Sequence, residues 1–307
     1  MRYRWFILSL VFLATMLNYL DRQVIGMLKP ILERQYSWTE KDYARIVMSF
    51  TAAYAIGLLC LGRFIDRIGT KLGYLFTVAY WSISAMAHAL ARSASGFILA
   101  RASLGIGEGG NFPAAVKTVA EWFPQKERAL ATGIFNAGTS AGVVLSLIAV
   151  PTILRFAGWQ EVFLITGALG FIWILLWWRY YEVPQRQKRL SAAEREWITQ
   201  DEKSMIPEKA VPVRWTRLLR HPQTWAYVMG KAFIDPIYWF FLFWLPSYFA
   251  SAFDLNMKVL SPELMIIYLS TTVGSISGGY LSSALIRKGW PTLKARKTAL
   301  LLFALLE

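Results

Sequence analysis

The sequence predicts an all-α membrane protein with a helical-bundle architecture, and three observations support this fold class. Of the 307 residues, 56% are hydrophobic, against about 45–50% in soluble domains. The apolar residues are concentrated in long runs, and a helix needs about 20 such residues to cross a bilayer. Lys and Arg accumulate in alternate connecting segments, as they do in proteins that cross a membrane several times.

The apolar runs predict eight complete spans and the beginning of a ninth. The eight spans cover residues 5–28, 43–62, 72–91, 96–116, 129–150, 159–178, 222–250 and 263–286. The first run resembles a secretory signal, but no small-residue cleavage site follows it, so we interpret it as a retained span. The ninth run begins near Thr298 and reaches only about half the length of a crossing. We therefore expect the chain to be a fragment, or the product of a truncated gene, of a larger protein.

The distribution of basic residues predicts the orientation in the membrane. With the N-terminus inside, the inner segments hold 23 Lys and Arg residues and the outer segments hold 6. Basic residues favour the cytoplasmic side, so we predict a multi-pass protein of the bacterial inner membrane with a cytoplasmic N-terminus. The same bias accounts for the net charge of +14 without a nucleic-acid partner. We expect the protein to be a monomer in the lipid bilayer.

One long polar stretch divides the chain. Residues 1–180 form a six-span half, residues 181–221 a charged cytoplasmic linker, and residues 222–307 an incomplete second half. Two halves of this kind are typical of transporters built from repeats. Within the linker, Ser191 followed by Glu194 predicts a capping box, so we expect a short amphipathic helix from Ser191 to about Lys203.

Two patterns typical of soluble enzymes also occur. "GIGEGG" at 105–110 matches a dinucleotide-binding fingerprint, and "GTSAG" at 138–142 matches a nucleophile elbow. Both lie inside apolar helical runs with no preceding strand, so we reject both interpretations. Small residues four apart let membrane helices approach closely. We expect that role for Gly105/Gly109, Gly138/Gly142 and Gly274/Gly278.

The loop between the second and third spans carries a more specific motif. "GRFIDRIGTK" at 62–71 closely resembles the loop signature of the major facilitator superfamily. This resemblance implies a conformational latch formed by four residues: Gly62, Asp66, Arg67 and Gly69. A weaker copy, "GGYLSSALIRKG" at 278–289, occupies the equivalent place after the eighth span, with Ser283 in place of the aspartate.

Four charged residues lie within the first and fourth predicted spans: Asp21 and Arg22 in the first, and Arg101 and Glu108 in the fourth. Even on a lenient insertion scale, each membrane-embedded charge costs at least ~2.5 kcal/mol, so these groups cannot face lipid. Arg101 and Glu108 are seven residues apart, which places both on nearly one helix face. The four side chains therefore line a shared cavity, or else they form ion pairs that only hold the two spans together.

Several segments resemble bacterial hexuronate transporters of the anion:cation symporter branch of the superfamily. They are "NYLDR", "RASLGIGEGGNFPA", "EWFPQKERALATGIFNAG" and "DPIYWFFLFWLPSYF". The resemblance implies that Asp21 and Glu108 carry protons and that Arg101 tunes them. It also implies that Arg22 binds the substrate carboxylate with the help of Tyr19 and Tyr54.

The chemistry of these residue types agrees with that assignment. Arg binds a carboxylate through its planar fork and stays charged when buried. Asn136 and Ser140, one turn apart in the fifth span, would bind hydroxyl groups or would simply pack between helices. In the seventh span, Asp235-Pro236 predicts an interruption with a bend. The aromatic cluster that follows would stack on a sugar ring, or would face lipid or core; its members are Tyr238, Trp239, Phe240, Phe241 and Trp244.

We therefore predict proton-coupled uptake of a sugar-acid anion such as galacturonate or glucuronate. Two alternatives stay open: transport of another organic anion (an aldonate, an aldarate or an aromatic acid), or a non-transporting truncated membrane protein. We expect no enzymatic activity and no catalytic residue, because the sequence holds no nucleophile or metal constellation. Cys60 is the only cysteine, so no disulfide framework or zinc cluster can form. The proton is the expected coupling ion, with no cofactor and no metal. His88 is predicted to be a packing residue.

Overall fold

The computed structural model describes residues 3–200, 217, 219–252 and 262–305, and every regular element in these ranges is helical. They hold eleven α-helices: α1 (Tyr3–Tyr36), α2 (Glu40–Ile68), α3 (Thr70–Ala87), α4 (Ala94–Glu108), α5 (Asn111–Trp122), α6 (Gln125–Leu154), α7 (Trp159–Tyr180), α8 (Ala192–Thr199), α9 (Pro222–Ala252), α10 (Pro262–Arg287) and α11 (Thr292–Ala304). A 3-10 turn, His88–Leu90, follows α3. The predicted all-α fold is confirmed.

Five of the described helices are long and apolar enough to cross a membrane: α1, α2, α6, α7 and α9. We call the end of the bundle at which α1 begins its base, and the end at which α1 finishes its top. At the base, the Tyr3 hydroxyl donates to the Tyr180 carbonyl at the end of α7 (2.7 Å). At the top, the rings of Tyr36 and Trp159 meet edge to face, 6.2 Å apart.

The fourth predicted span is two helices rather than one. The helix α4 ends at Glu108 and α5 begins at Asn111, so Gly109 and Gly110 form the joint. A Cβ atom on Gly109 would lie 2.6 Å from the main-chain carbon of Gly57 in α2, so only glycine fits this approach. Two adjacent glycines also weaken a helix. Pro113 is tolerated because it lies in the first turn of α5.

Close helix packing confirms two of the three predicted glycine pairs. A Cβ on Gly105 would meet the backbone of Phe50 and Tyr54 in α2. On α6, Gly138 and Gly142 are pressed against the α1 backbone in the same way. The third pair was wrong, because the Cβ position of Gly274 has no neighbour within 4 Å in the described chain.

The glycine of α10 that packs closely on another helix is Gly279, one residue after the predicted pair Gly274/Gly278. A Cβ on Gly279 would lie 3.1 Å from the Ala129 carbonyl of α6, whereas Gly278 makes only an ordinary contact with Phe303. The glycine pairs on α4 and α6 lie inside or at the end of helices. This position agrees with the rejection of the dinucleotide-binding and nucleophile-elbow patterns, which need a preceding strand.

The seventh predicted span is an unbroken helix. The helix α9 contains both Pro236 and Pro246 and runs through them, so the predicted interruption at Asp235-Pro236 was wrong. Proline is tolerated in membrane helices because neighbouring groups compensate the lost hydrogen bond. One turn before the proline, Lys231 Nζ pairs with Asp235 Oδ1 at 2.5 Å.

The linker contains the expected short helix, α8, whose first turn is capped by the Ser191 hydroxyl (3.2 Å from Glu194 N). The carboxylate of Glu194 is used differently from the prediction. It accepts the main-chain N–H groups of Tyr3 (3.0 Å) and Arg4 (3.1 Å), so it caps the start of α1. The predicted extension of this helix to Lys203 lies outside the described residues.

Candidate functional site

A buried ion pair joins α1 to α4 in the middle of the bundle. Arg22 Nε and Nη2 each lie 2.8 Å from Glu108 Oε2. Arg22 Nη2 also donates to Asn18 Oδ1, one turn earlier on α1, at 3.1 Å. Both members of the pair are completely buried. Arg22 Nη1 and Glu108 Oε1 have no hydrogen-bond partner within the described chain, so the pair is strong but not saturated.

Four aromatic rings surround the Arg22 guanidinium group. Its central carbon lies 4.3 Å from the ring centre of Tyr19, 4.7 Å from Tyr54, 4.9 Å from Trp239 and 5.2 Å from Phe50. A desolvated cation over an aromatic ring gains about 2 kcal/mol. We call Arg22, Glu108 and these four rings the arginine cage. It combines four helices, since the rings come from α1, α2 and α9 and Glu108 comes from α4.

Arg101 lies beside the cage without a carboxylate partner. Its Nη1 donates to the Arg22 carbonyl at 3.2 Å, and its guanidinium carbon lies 5.6 Å from the Phe50 ring centre. Its Nε and Nη2 have no partner among the described residues, although the side chain is fully buried. A buried charge without a close counter-ion costs several kcal/mol. The burial of Arg101 is therefore energetically costly in this arrangement.

Asp21 lies on another side of α1, beside Thr166 of α7. Its side chain is 2% exposed, and its Oδ1 has no hydrogen-bond partner in the part of the chain that the structure describes. The four intramembrane charges thus converge around α1, as the sequence predicts. The side chains of Arg22, Arg101 and Glu108 are 0% exposed, and the Trp239 ring of α9 lies over the Arg22 guanidinium group. The roles of the four charged residues in binding and proton coupling stay predictions.

The two polar residues of α6, Asn136 and Ser140, are placed less favourably for contact with a substrate bound at Arg22. Asn136 is half-buried and Ser140 is buried. Helical spacing puts both on the face of α6 that carries Gly133, which packs on Gly279 of α10. That face is roughly opposite the Gly138/Gly142 face, which meets α1. Their role as hydroxyl ligands stays a prediction, and helix packing remains the competing interpretation.

Sequence reasoning missed Phe50 of the arginine cage and Asn18, which bonds Arg22 beside it, and identified Trp239 only as one of several candidates. Phe50 and Asn18 each lie one helical turn from a predicted residue, a spacing that could have revealed them. Trp239 was one of five aromatic candidates in α9. Only the structure separates it from Phe240 and Phe241, which are exposed.

In the latch motif at the base, Asp66 pairs with Lys117 and not with the adjacent Arg67. Asp66 Oδ1 lies 3.0 Å from Lys117 Nζ of α5, and Lys117 also donates to the Ile65 carbonyl. Arg67 is exposed. Gly69 ends α2 with φ at +87°, a conformation that favours glycine, and the latch role of the motif stays a prediction.

The remaining members of the two motif copies can be placed as well. Gly62 contacts the Pro113 ring, with its Cβ position 3.6 Å from Pro113 Cβ. Gly289 repeats the turn of Gly69 with φ at +88°. Ser283, which takes the place of the aspartate in the second copy, is buried; its part in a latch stays a prediction.

His88 is a packing residue, as predicted. It is fully buried, its Nδ1 lies 2.9 Å from the Ser84 carbonyl oxygen, and its ring stacks on Phe163 with centres 4.8 Å apart.

Comparison with known proteins identifies the family. The model of the Major Facilitator Superfamily matches residues 11–306. The chain belongs to the major facilitator superfamily. It is therefore a multi-pass membrane protein, and the predicted fold and family are confirmed.

Two relatives and one solved structure show how far the likeness extends. The chain is 34% identical to the galacturonate transporter of Dickeya chrysanthemi, over 91% of this chain and 81% of that protein. It is 32% identical to the hexuronate transporter of Escherichia coli K12, over 91% of this chain and 65% of that protein. A bacterial homologue of the human lysosomal transporter Spinster superposes with a TM-score of 0.68 at 21% identity, over 91% of this chain and 61% of that one. The last comparison shows the fold alone.

Proposed function

We propose that this superfamily member takes up a sugar-acid anion, a hexuronate such as galacturonate or glucuronate, in symport with protons. The observation that carries the proposal is the arginine cage: a buried guanidinium group paired with a carboxylate and covered by aromatic rings. The names of the two relatives support the substrate class. The excess of basic residues at the base supports a cytoplasmic base and an inner-membrane location.

The substrate carboxylate competes with Glu108 for Arg22. The Arg22 fork donates two hydrogen bonds to one oxygen of Glu108 and can donate to both oxygens of a substrate carboxylate, so the exchange conserves the ion pair while the sugar enters. Glu108 then loses its counter-charge inside the bilayer, where an unpaired carboxylate is costly. Proton uptake by Glu108 removes that cost and couples the proton to the substrate.

Arg101 and Asp21 complete the proposed cycle. Arg101 has two unused nitrogen donors close to Arg22, so it serves as an alternative partner for either acid. Asp21 is buried next to α7 and acts as the second proton site. Rocking of the two halves about this midplane site exposes the substrate to each side in turn.

Uptake of labelled galacturonate into proteoliposomes tests the proposal. An inward proton gradient should drive accumulation, and a protonophore should abolish it. Accumulation that does not depend on the pH gradient would refute proton coupling, and an absence of both binding and uptake would refute the substrate class.

The variant Glu108→Gln tests the coupling step separately. Glutamine keeps the shape of the side chain but cannot exchange a proton, so we expect gradient-driven accumulation to be lost while exchange of internal for external substrate continues. Glu161→Gln at the start of α7 is the control, because Glu161 bonds only the Gly158 N–H group among the described contacts. Normal accumulation by Glu108→Gln would remove Glu108 from the proton path.

Another organic anion would use the same cage, because Arg22 recognises a carboxylate and not the rest of the molecule. A thermal-stabilisation screen with hexuronates, aldonates, aldarates and aromatic acids separates these substrates. Protection by aromatic acids but not by hexuronates would replace the proposed substrate class.

A further inference from the structure

Gln23 is a buried amide whose side chain has no hydrogen-bond partner in the described part of the chain. It follows Arg22 on α1, its side chain is 0% exposed, and neither Oε1 nor Nε2 has a partner among the described residues. Other amides on α1 are used: Asn18 accepts from Arg22, and Gln35 Oε1 accepts from Trp159 Nε1 at 2.8 Å. Leaving both ends of a buried amide unpaired is costly, and such exceptions call for an explanation.

The Gln23 amide points into the gap between α1, α2 and α9. The Cβ position of Gly26 has three neighbours within 4 Å: the Phe243 carbonyl at 3.4 Å, the Tyr43 hydroxyl at 3.7 Å and Gln23 Nε2 at 3.8 Å. The Gly26 Cβ position therefore lies within 4 Å of the amide nitrogen and of both atoms of the hydrogen bond from the Tyr43 hydroxyl to the Phe243 carbonyl (3.1 Å). This bond joins α2 to α9 on the side of the cage nearer the top.

The same side of α1 carries the substrate groups proposed above. Tyr19, Arg22 and Gly26 are three and four residues apart, so they lie on one helix face. Gln23 borders that face. Tyr19 lies within hydrogen-bonding reach of Tyr238 in α9, and Arg22 lies under Trp239. The unpaired amide is thus beside the cage, and it faces the helix that covers it.

We propose that Gln23 determines specificity within this site by binding a hydroxyl group of the sugar acid while Arg22 binds its carboxylate. The inference rests on the proposed function. A primary amide presents a donor and an acceptor side by side, and a sugar hydroxyl both donates and accepts. A buried site built to bond a hydroxyl rejects an analogue that lacks it, because the protein group is then left unpaired.

A hexuronate and its single-deoxy analogues test this inference on the full chain in proteoliposomes. The wild type should transport one deoxy analogue at least about tenfold less efficiently than the parent sugar acid. The variant Gln23→Met keeps a similar volume without polar atoms. It should fold normally, transport the parent at least about tenfold less efficiently, and lose the discrimination between parent and analogue. Gln35→Met is the matched control on the same helix and should keep that discrimination.

Each other outcome overturns the inference. If Gln23→Met discriminates as the wild type does, Gln23 does not contact the sugar. If Gln23→Met lowers the unfolding temperature and the control does not, the amide is structural. If the wild type neither binds nor transports any sugar acid, the proposed function fails first, and that result is visible without any variant.

Discussion

Two buried arginines of α1 have opposite surroundings. At the base, Arg4 is 1% exposed, and each of its three side-chain nitrogens meets a carboxylate oxygen. Its Nε and Nη2 bond Glu127 of α6 at 2.9 and 3.1 Å, and its Nη1 bonds Glu194 of α8 at 3.3 Å. In the middle of the bundle, Arg22 is equally buried, but among the described residues one of its nitrogens and one oxygen of its partner Glu108 have no hydrogen-bond partner.

The difference indicates what each arginine is for. Arg4 ties the first turns of α1 and α6 to the linker helix α8, and a group that only holds helices together is best satisfied in a single arrangement. Spare donors and acceptors, by contrast, would let a group change partners during the proposed transport cycle. Arg101, which has two nitrogens without a partner among the described residues beside Arg22, has such spare donors.

The largest effect is expected at the base. Arg4→Gln leaves two carboxylates close together without their cation, and breaking a buried pair costs about 3 kcal/mol or more. Thermal unfolding in detergent should show this loss, whereas the exposed Lys126→Gln should unfold like the wild type. Substrate affinity of the folded fraction should not change. An unaltered unfolding temperature would show that Arg4 does not hold the base together.

The next largest effect is expected from a substitution of Arg22 in the arginine cage, and it should change the rate of uptake and not the stability. Arg22→Lys keeps the charge next to Glu108 but loses the bidentate fork, so uptake should fall roughly 100-fold, equivalent to about 2.7 kcal/mol. The exposed Arg155→Lys at the end of α6 is the control for the same chemical change. Unchanged uptake by Arg22→Lys would remove Arg22 from the substrate site. Arg22 would then be a structural residue, like Arg4.

A smaller effect, on substrate affinity, is expected from a substitution of the Trp239 ring of the arginine cage. Trp239→Leu removes the ring that α9 places 4.9 Å from the Arg22 guanidinium carbon, and we expect substrate affinity to fall about tenfold. Phe240→Leu is the matched control, because the neighbouring ring is 56% exposed. Binding measured by ligand protection against thermal unfolding distinguishes them. Equal losses in both variants would show a general effect on α9.

The smallest effect on stability is expected at the Asp66–Lys117 pair. The Asp66 side chain is 73% exposed, and exposed ion pairs contribute less than about 1 kcal/mol. Asp66→Asn should therefore leave the unfolding temperature nearly unchanged. If the motif is a latch, the same variant should still alter the uptake rate. A large loss of stability would instead place this pair with the structural arginine at the base.

Particular residues show how far sequence reasoning could go. The charges at positions 21, 22, 101 and 108 stand out because the bilayer penalises each of them, so their convergence was predictable. The joint at Gly109 and Gly110 was not, because its cause is the backbone of α2 pressing on α4. The continuity of α9 through Pro236 likewise depends on neighbouring groups that the sequence of α9 does not contain.

The sequence by itself determined the all-α fold class, the family, and the residues too costly to face lipid, because composition and hydropathy act along the chain. Only the tertiary structure decided which of these residues meet: Glu108 rather than Asp21 on Arg22, Lys117 on Asp66, Trp239 over the guanidinium group and Glu194 on the first turn of α1. These pairings join helices that are far apart in the chain, and their choice follows from the packing of whole helices, which no local pattern encodes.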